Sequence, residues 1–189
     1  MATSIYHKTN FFVVTGGPGS GKTSLLQELH SEGISTIMES GRHVIQEQVK
    51  KNGDALPWKN KSAFAQQMLE IDIKNFRQNI LVNTPLIFDR GIPDVLGYVK
   101  LCKMRTFSDL EESVKRFRYN PVVFILPPWQ AIYQQDTERK QDFSLAVDTH
   151  RMMQHTYTLC GYQLINVPKL SVKSRADMLL QKIKELQNA

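Results

Sequence analysis

Five short runs of apolar residues recur along the chain, separated by longer amphipathic stretches. Branched and aromatic side chains dominate these runs, as is typical of strands buried on both faces of a sheet. The runs are Phe11–Thr15, Ile34–Met38, Leu86–Asp89, Val122–Leu126 and Tyr162–Val167. The pattern predicts five buried β-strands.

The stretches between the runs have helical spacing. Leu69, Ile73, Phe76 and Ile80 follow steps of four, three and four residues, so they line one face of a helix that can cover a sheet. Parallel neighbours need a long crossover connection, usually a helix, so this alternation favours a mostly parallel sheet. We therefore expect an α/β fold with three α/β/α layers around a mostly parallel five-stranded sheet, with ligands at the carboxyl ends of its strands.

A glycine-rich octamer follows the first predicted strand directly. The segment from Gly16 to Thr23 fits the pattern GxxxxGK[ST] and opens an amphipathic helix, so both the motif and its context indicate a P-loop. Such a loop turns its backbone N–H groups onto phosphate oxygens at a helix N-terminus. The predicted phosphate-binding residues are Gly16, Gly17, Pro18, Gly19, Ser20, Gly21, Lys22, Thr23 and Ser24. Lys22 should bridge the β- and γ-phosphates of a nucleotide, and the Thr23 hydroxyl should hold Mg²⁺.

The third predicted strand ends in Asp89, which is the second expected ligand of Mg²⁺. ATPases that drive motion commonly have a Glu after this Asp, whereas this chain has Arg90. The Asp-Arg pair resembles that of nucleoside and nucleotide kinases, in which it contributes to metal binding and substrate contact. The chain is also too short to carry the helical lid domain of a motor-type AAA+ ATPase.

Three further residues are candidates for binding a phosphate acceptor. Glu39 ends the second predicted strand and could accept a proton from a hydroxyl group, and Arg42 lies three residues further on. An acid favoured by the helix macrodipole explains Glu39 equally well. Asp94, in the turn after Arg90, has the same two interpretations.

A charged cluster precedes the last long predicted helix. We interpret residues 134–142 as a lid and Arg139 as an arginine finger that stabilises the transferring phosphoryl group. A solvated helix start is the simpler alternative. Further upstream, Trp129 and Tyr133 are four residues apart, so they could stack on one helix face as a platform for a base, although core packing is the more ordinary explanation.

Composition sets limits on domain number and partners. With 189 residues, 41% hydrophobic and 22% charged, the chain is expected to form a single domain over residues 1–189. The formal charge of +6 favours an anionic partner. The basic residues are scattered rather than set between aromatic residues, so no nucleic-acid partner is expected.

Cysteine usage and the N-terminus bear on location. The chain has two cysteines, Cys102 and Cys160, and they are not spaced like the ligands of a metal site. So few cysteines are typical of a protein in a reducing compartment. The apolar run at Phe11 is far too short for a signal peptide or a membrane span. We expect a cytoplasmic protein.

Taken together, the motifs resemble those of the bacterial NadR-like AAA-domain ATPase family. The resemblance is carried by the P-loop, the segments MESGR, FDRGIPD and LPPW, and the segment ERKQDF from Glu138 to Phe143. That family is related to a nicotinamide-riboside kinase domain with an acidic-x-Gly-Arg segment, a strand-end Asp and an arginine-bearing lid. The resemblance implies a kinase role.

Two hypotheses about function follow. The first is an ATP-dependent phosphotransferase in which Lys22, Asp89, Arg139 and Glu39 act on ATP, Mg²⁺ and an unidentified small-molecule acceptor. ATP is favoured over GTP because no [NT]KxD segment is present to bind guanine. The second is a nucleotide-dependent binding switch or slow ATPase that engages a protein or an anionic lipid. A kinase requires Glu39 and Arg90 to face an enclosed cavity, whereas a switch requires an exposed apolar patch.

Overall fold

Parallel strands and helices alternate along the chain in the computed structural model, which describes residues 4–133 and 142–188. The strands are β1 (Tyr6–His7), β2 (Phe11–Gly16), β3 (Ser35–Ile37), β4 (Leu86–Asp89), β5 (Phe117–Arg118), β6 (Val122–Leu126) and β7 (Gln163–Asn166). The α-helices are α1 (Lys22–Ser31), α2 (Ser40–Lys50), α3 (Lys61–Gln78), α4 (Ile92–Leu101), α5 (Ser108–Arg116), α6 (Phe143–Leu159) and α7 (Val172–Gln187). A 3-10 helix covers Gln130–Ile132.

The main sheet has five parallel strands in the order β3-β4-β2-β6-β7. This confirms the predicted α/β class and places all five predicted strands in one sheet. The central strands match their apolar runs closely, whereas β3 and β7 are shorter than predicted. These two are the edge strands, and their side chains are only partly buried.

Alternate residues of the central strands face two separate apolar cores. Phe11 and Val13 of β2 pack with α2 to α6 on one side of the sheet, whereas Phe12 and Val14 pack with α1 and α7 on the other. The side-chain period of two in a strand produces this division. The sheet is therefore the middle of three layers.

A second, two-stranded parallel sheet pairs β1 with β5 and was not predicted. Each strand has only two residues, too few for a hydrophobic period to be visible in the sequence. The stacked rings of Tyr6 and Phe117, 5.4 Å apart, cover the end of the larger core.

Helix α3 has a longer buried face than the predicted stripe. Leu69 and Phe76 are buried as expected, but Ile80 lies beyond the end of the helix. Asn60 is the N-cap residue before the helix, and its side chain accepts a hydrogen bond from the Ala63 N–H. The same buried face also contains a carboxyl group, that of Asp72.

The proposed lid lies almost entirely outside the described residues. Residues 134–141, which include Arg139, are not described, and Asp142 occupies the N-cap position of α6. Within the part of the chain that is described, no helix is both long and apolar enough to span a membrane.

Candidate active site

Three adjacent strands end at the same edge of the sheet and bring the predicted residues together. Asp89, the last residue of β4, pairs with Val14 of β2, two residues before Gly16. Ile37 of β3 pairs with Phe88, and Glu39 follows as the N-cap residue of α2. The parallel register therefore places the P-loop, Asp89 and Glu39 side by side.

The P-loop glycines permit both its conformation and its close packing. Gly19 and Gly21 have φ values of 67° and 80°, in the left-handed region that glycine adopts readily. At Gly17 the reason is contact, since a Cβ there would lie 2.5 Å from the carbonyl oxygen of Ala146 in α6. The loop is thus fixed in place by backbone packing.

Lys22 begins helix α1 with its side chain buried in the loop. Its Nζ donates hydrogen bonds to the carbonyls of Gly16 at 3.3 Å and Gly17 at 3.4 Å. Thr23 and Ser24 follow in the first helical turn and are exposed. The ammonium group therefore lies where the positive end of the helix and the loop amides would meet a phosphate.

Asp89 is buried beside this lysine and lacks part of its hydrogen bonding. Its Oδ1 is inaccessible to water and has no hydrogen-bond partner among the described residues. Burial raises the pKa of Asp89, and the charge of Lys22 opposes that rise. An orphaned carboxylate oxygen next to a phosphate loop is the kind of donor that Mg²⁺ prefers, so Asp89 and Thr23 fit the predicted metal site. In the described ranges no group of three or more His, Cys, Asp or Glu residues could hold a metal ion alone, and a P-loop magnesium needs none.

Arg90 has an unusual backbone conformation. Its φ is 73°, uncommon for a residue with a side chain, and its N–H donates to the Val14 carbonyl at 3.0 Å. The turn directs the guanidinium between two carboxylates, with Nε 3.1 Å from Glu39 Oε1 and Nη1 3.1 Å from Asp94 Oδ1. Burial disfavours the charged guanidinium, but the neighbouring carboxylates, Glu39 first among them, raise the pKa of Arg90 overall. Strain of this kind, of order 1–3 kcal/mol, tends to occur where it serves a site.

Asp94 is held by four hydrogen bonds within the protein. Oδ1 accepts from the Thr15 hydroxyl and from Arg90, and Oδ2 accepts from the Gly91 N–H and the Tyr157 hydroxyl. The bond from Gly91, the N-cap residue of α4, is one half of a capping box, and glycine has no side chain to supply the other half. Asp94 therefore lies in the first turn of a helix, as one of its two interpretations expects, and it also orients Arg90.

A cavity of about 510 Å³ connects the P-loop with these acceptor-side residues. Pro18 of the loop lies at one end, and Glu39, Arg42, Arg90 and Asp94 all contribute to the wall. The remaining surface is largely apolar and comes from α2, α3, α4 and α6, with Phe64, Met68, Tyr98, Val95, Leu145 and Met153 among the lining side chains. The rings of Phe64 and Tyr98 meet edge to face at 5.4 Å.

Asp72 also lines this cavity, and the sequence analysis missed it. It lies on α3 four residues after Met68 and eight after Phe64, and it is only 8% exposed. Burial raises its pKa to about 8, while a hydrogen bond with the Ser40 side chain acts in the opposite direction. In the sequence, Asp72 stands inside a row of apolar residues at helical spacing: Phe64, Met68 and Phe76. A search for apolar periodicity counts only the apolar residues and so passes over the acid between them.

On the other side of the P-loop, side chains following β6 cover the glycines. A Cβ on Gly19 would lie 2.4 Å from the Tyr133 ring. Trp129 instead lies under the guanidinium of Arg175, 5.5 Å from its ring centroid. The expectation that Trp129 and Tyr133 share a helix face is wrong, because the segment forms only a 3-10 turn.

This fold and loop define an α/β protein with a kinase-like P-loop fold. The family model described as AAA domain matches residues 11–175, and the chain belongs to that family. No curated protein matches the chain.

Solved structures share the fold at low sequence identity. A NadR protein in complex with NR is 15% identical with a TM-score of 0.67, the match covering 97% of this chain and 52% of NadR. A deoxyadenosine kinase from M.mycoides is 15% identical with a TM-score of 0.59, covering 93% and 99% of the two chains. A shikimate kinase from Acinetobacter baumannii is 16% identical with a TM-score of 0.56, covering 95% of each. At this identity the likeness establishes the fold.

Proposed function

We propose that this protein is a Mg²⁺-dependent kinase that transfers the γ-phosphoryl group of ATP to a hydroxyl group of a small, nucleoside-like molecule. One observation carries the proposal: Pro18 of the P-loop, Glu39 and Arg90 line a single cavity. An acceptor in the cavity would therefore lie next to a donor phosphate on the loop. The solved kinases of the same fold support the proposal at the level of architecture.

Beside Arg90, two carboxylates favour a hydroxyl acceptor over a phosphate acceptor. Glu39 and Asp94 both lie at the end of the cavity nearest Arg90, and Arg90 already forms a salt bridge with each. An acceptor phosphate would bring further negative charge to two carboxylates in a partly buried site. A hydroxyl group donates a hydrogen bond to a carboxylate and brings no charge.

On the donor side, the loop amides and Lys22 would hold the β- and γ-phosphates. Thr23 and Asp89 would hold the metal, which when bound neutralises charge on the phosphate oxygens. Arg139 would add a second cation from the lid, where it would balance charge on the γ-phosphoryl group during transfer.

The reaction balances with the residues of this chain. The acceptor oxygen forms a bond to the γ-phosphorus as the bond from that phosphorus to the β–γ bridging oxygen breaks, and ADP leaves. Glu39 takes the hydroxyl proton. Arg42 and Arg90, at the same end of the cavity, would orient the acceptor and Glu39.

The wall of the cavity also supports this proposal over a nucleotide-dependent switch. A switch needs no acceptor site, whereas the residues predicted to bind an acceptor line one cavity. A protein or lipid partner would instead require an apolar surface that changes with the bound nucleotide.

The experiment is ADP release from Mg·ATP by the purified protein, alone and with separate pools of nucleosides, nucleotides and other hydroxyl compounds. We expect stimulation by the nucleoside pool and its loss in Glu39→Gln. Glu47→Gln is the matched control, because Glu47 is on the same helix but forms an exposed ion pair with Lys51. Slow release that no pool stimulates, but that still requires Lys22, would contradict the kinase and favour the switch.

A further inference from the structure

Asp72 is a buried carboxyl group that the proposed reaction does not use. It lies in the row of α3 side chains that faces the cavity, beside the Ser40 side chain at the start of α2. Burial of a carboxyl group is costly unless it is neutral or paired. A buried acid with an apolar wall around it, inside a cavity of ligand size, is a candidate for ligand recognition.

Arg90, the cation at this end of the cavity, is already paired with two other carboxylates. Arg90 donates through Nε to Glu39 and through Nη1 to Asp94. Among the described residues, Asp72 has no salt-bridge partner of its own. The other basic side chains of the wall are Arg42, which is half-buried and forms no salt bridge with Asp72, and Lys61 and Lys103, which are exposed.

A carboxyl group without a counter-ion is most easily buried as the protonated acid, in agreement with its pKa of about 8. In that form it presents an O–H donor and a carbonyl acceptor side by side. The complementary ligand edge has a neighbouring acceptor and donor, as the lactam or amino-imine edge of a nucleobase does.

The apolar wall matches a flat ring. Phe64 lies eight residues before Asp72 on the same helix row, and its ring meets that of Tyr98 edge to face. Met68 lies between Phe64 and Asp72, and Met153 faces them from α6. Aromatic and methionine side chains around one polar group are typical of sites that bind a heterocycle and fix its orientation.

We propose that Asp72 is the specificity-determining residue of the acceptor site, and that the acceptor is an uncharged nucleoside whose base presents adjacent hydrogen-bond donor and acceptor atoms to this carboxyl group. The inference rests on the proposed function, in which the sugar hydroxyl of the same molecule reaches Glu39.

The test measures binding without ATP, so that recognition is separated from transfer. Uridine, cytidine, adenosine and inosine are titrated individually into the wild-type protein in a calorimeter. Asp72→Asn keeps a donor and an acceptor without charge, and Asp72→Leu removes both. Asp148→Asn on the exposed face of α6 is the control for loss of an acid.

We expect at least one nucleoside to bind, with affinity retained in Asp72→Asn and Asp148→Asn and lowered about 10- to 100-fold in Asp72→Leu. Equal loss in Asp72→Asn and Asp72→Leu would overturn the proposal in favour of an ionised carboxylate that only accepts hydrogen bonds from the ligand. Full affinity in Asp72→Leu would reduce Asp72 to a packing residue.

A second measurement does not depend on whether Asp72→Leu folds. Methylation of the base removes the donor from the ligand instead of the protein: at the ring N–H, as in 3-methyluridine or 1-methylinosine, or twice at the exocyclic amine of cytidine or adenosine. We expect the wild-type protein to bind a nucleoside but not the methylated analogue of that nucleoside. Equal affinity for the two compounds would overturn the proposal.

Failure of this inference differs from failure of the kinase proposal. Asp72-dependent nucleoside binding without phosphoryl transfer would refute the kinase and leave the recognition site in place. Phosphoryl transfer to a non-nucleoside, with none of the four nucleosides bound, would refute the recognition site and leave the kinase.

Discussion

Replacing Asp72 by Asn should stabilise the ligand-free protein, and by more as the pH rises. The pKa of Asp72 is about 8 in the folded protein, against an ordinary value of 3.8. The folded state therefore holds a proton that the unfolded state releases above that ordinary value. The contribution of Asp72 to stability is greatest below pH 3.8 and is lost progressively as the pH rises to about 8. Asn carries no such proton, so the variant does not lose this contribution.

The size of the effect follows from the two pKa values. Each pKa unit corresponds to about 1.4 kcal/mol, which gives Asp72→Asn an advantage of about 2 kcal/mol near pH 5 and about 4 kcal/mol near pH 7. Glu39 and Asp94 raise the pKa of Asp72, and Arg90 lowers it, so these three groups must remain unchanged in the comparison.

The assay is urea unfolding of wild type and variant at a series of pH values between 5 and 8. Subtracting one free energy of unfolding from the other cancels the titration of every shared group. Asp148→Asn, on the exposed face of α6, is the control for loss of a carboxyl group. A flat difference for Asp72→Asn, or one that falls with pH, would refute the buried neutral carboxyl group.

Three further predictions concern the phosphate site. Lys22→Ala or Arg139→Ala should abolish ATP turnover while the circular dichroism spectrum is unchanged, and turnover at the wild-type rate in either variant would contradict the mechanism. Asp89→Asn removes a buried, partly unsatisfied carboxylate, so the Tm of the ligand-free protein should be unchanged or higher. The increase in Tm caused by Mg·ATP should be smaller in this variant than in wild type. A lower Tm without ligand and an unchanged increase with Mg·ATP would contradict a metal role. Gly17→Ala would place a Cβ 2.5 Å from the Ala146 carbonyl oxygen and should destabilise the fold by about 1–3 kcal/mol in urea unfolding, and an unchanged midpoint would show that α6 yields easily.

The central strands could be predicted from sequence because burial on both sheet faces leaves a continuous apolar run. Phe11 to Val14 are each fully buried, so the run is unbroken. At the edge of the sheet the signal weakens, and β3 is shorter than its run because only one side has a neighbouring strand. Strands β1 and β5 could not be predicted, since their pairing depends on where α5 ends. The single-domain assignment stays a prediction.

The candidate site was predictable where backbone chemistry fixes the residue type. The P-loop needs glycine at its positions of positive φ, so Gly19 and Gly21 make the loop recognisable in the sequence. Glu39 and Arg90 could be located from strand ends, but their salt bridge depends on the left-handed turn at Arg90. Asp72 could not be predicted as a site residue, because its place in the cavity depends on the packing of α3 against the neighbouring helices.

Detection of the phosphorylated product tests the central claim most directly. The protein is incubated with Mg·ATP and each nucleoside that it binds, and the mixture is analysed by mass spectrometry for a phosphomonoester of the nucleoside. The kinase account predicts that this product forms in step with ADP and is lost in Glu39→Gln but not in Glu47→Gln. ADP accompanied only by inorganic phosphate, with every nucleoside recovered unchanged, would contradict it.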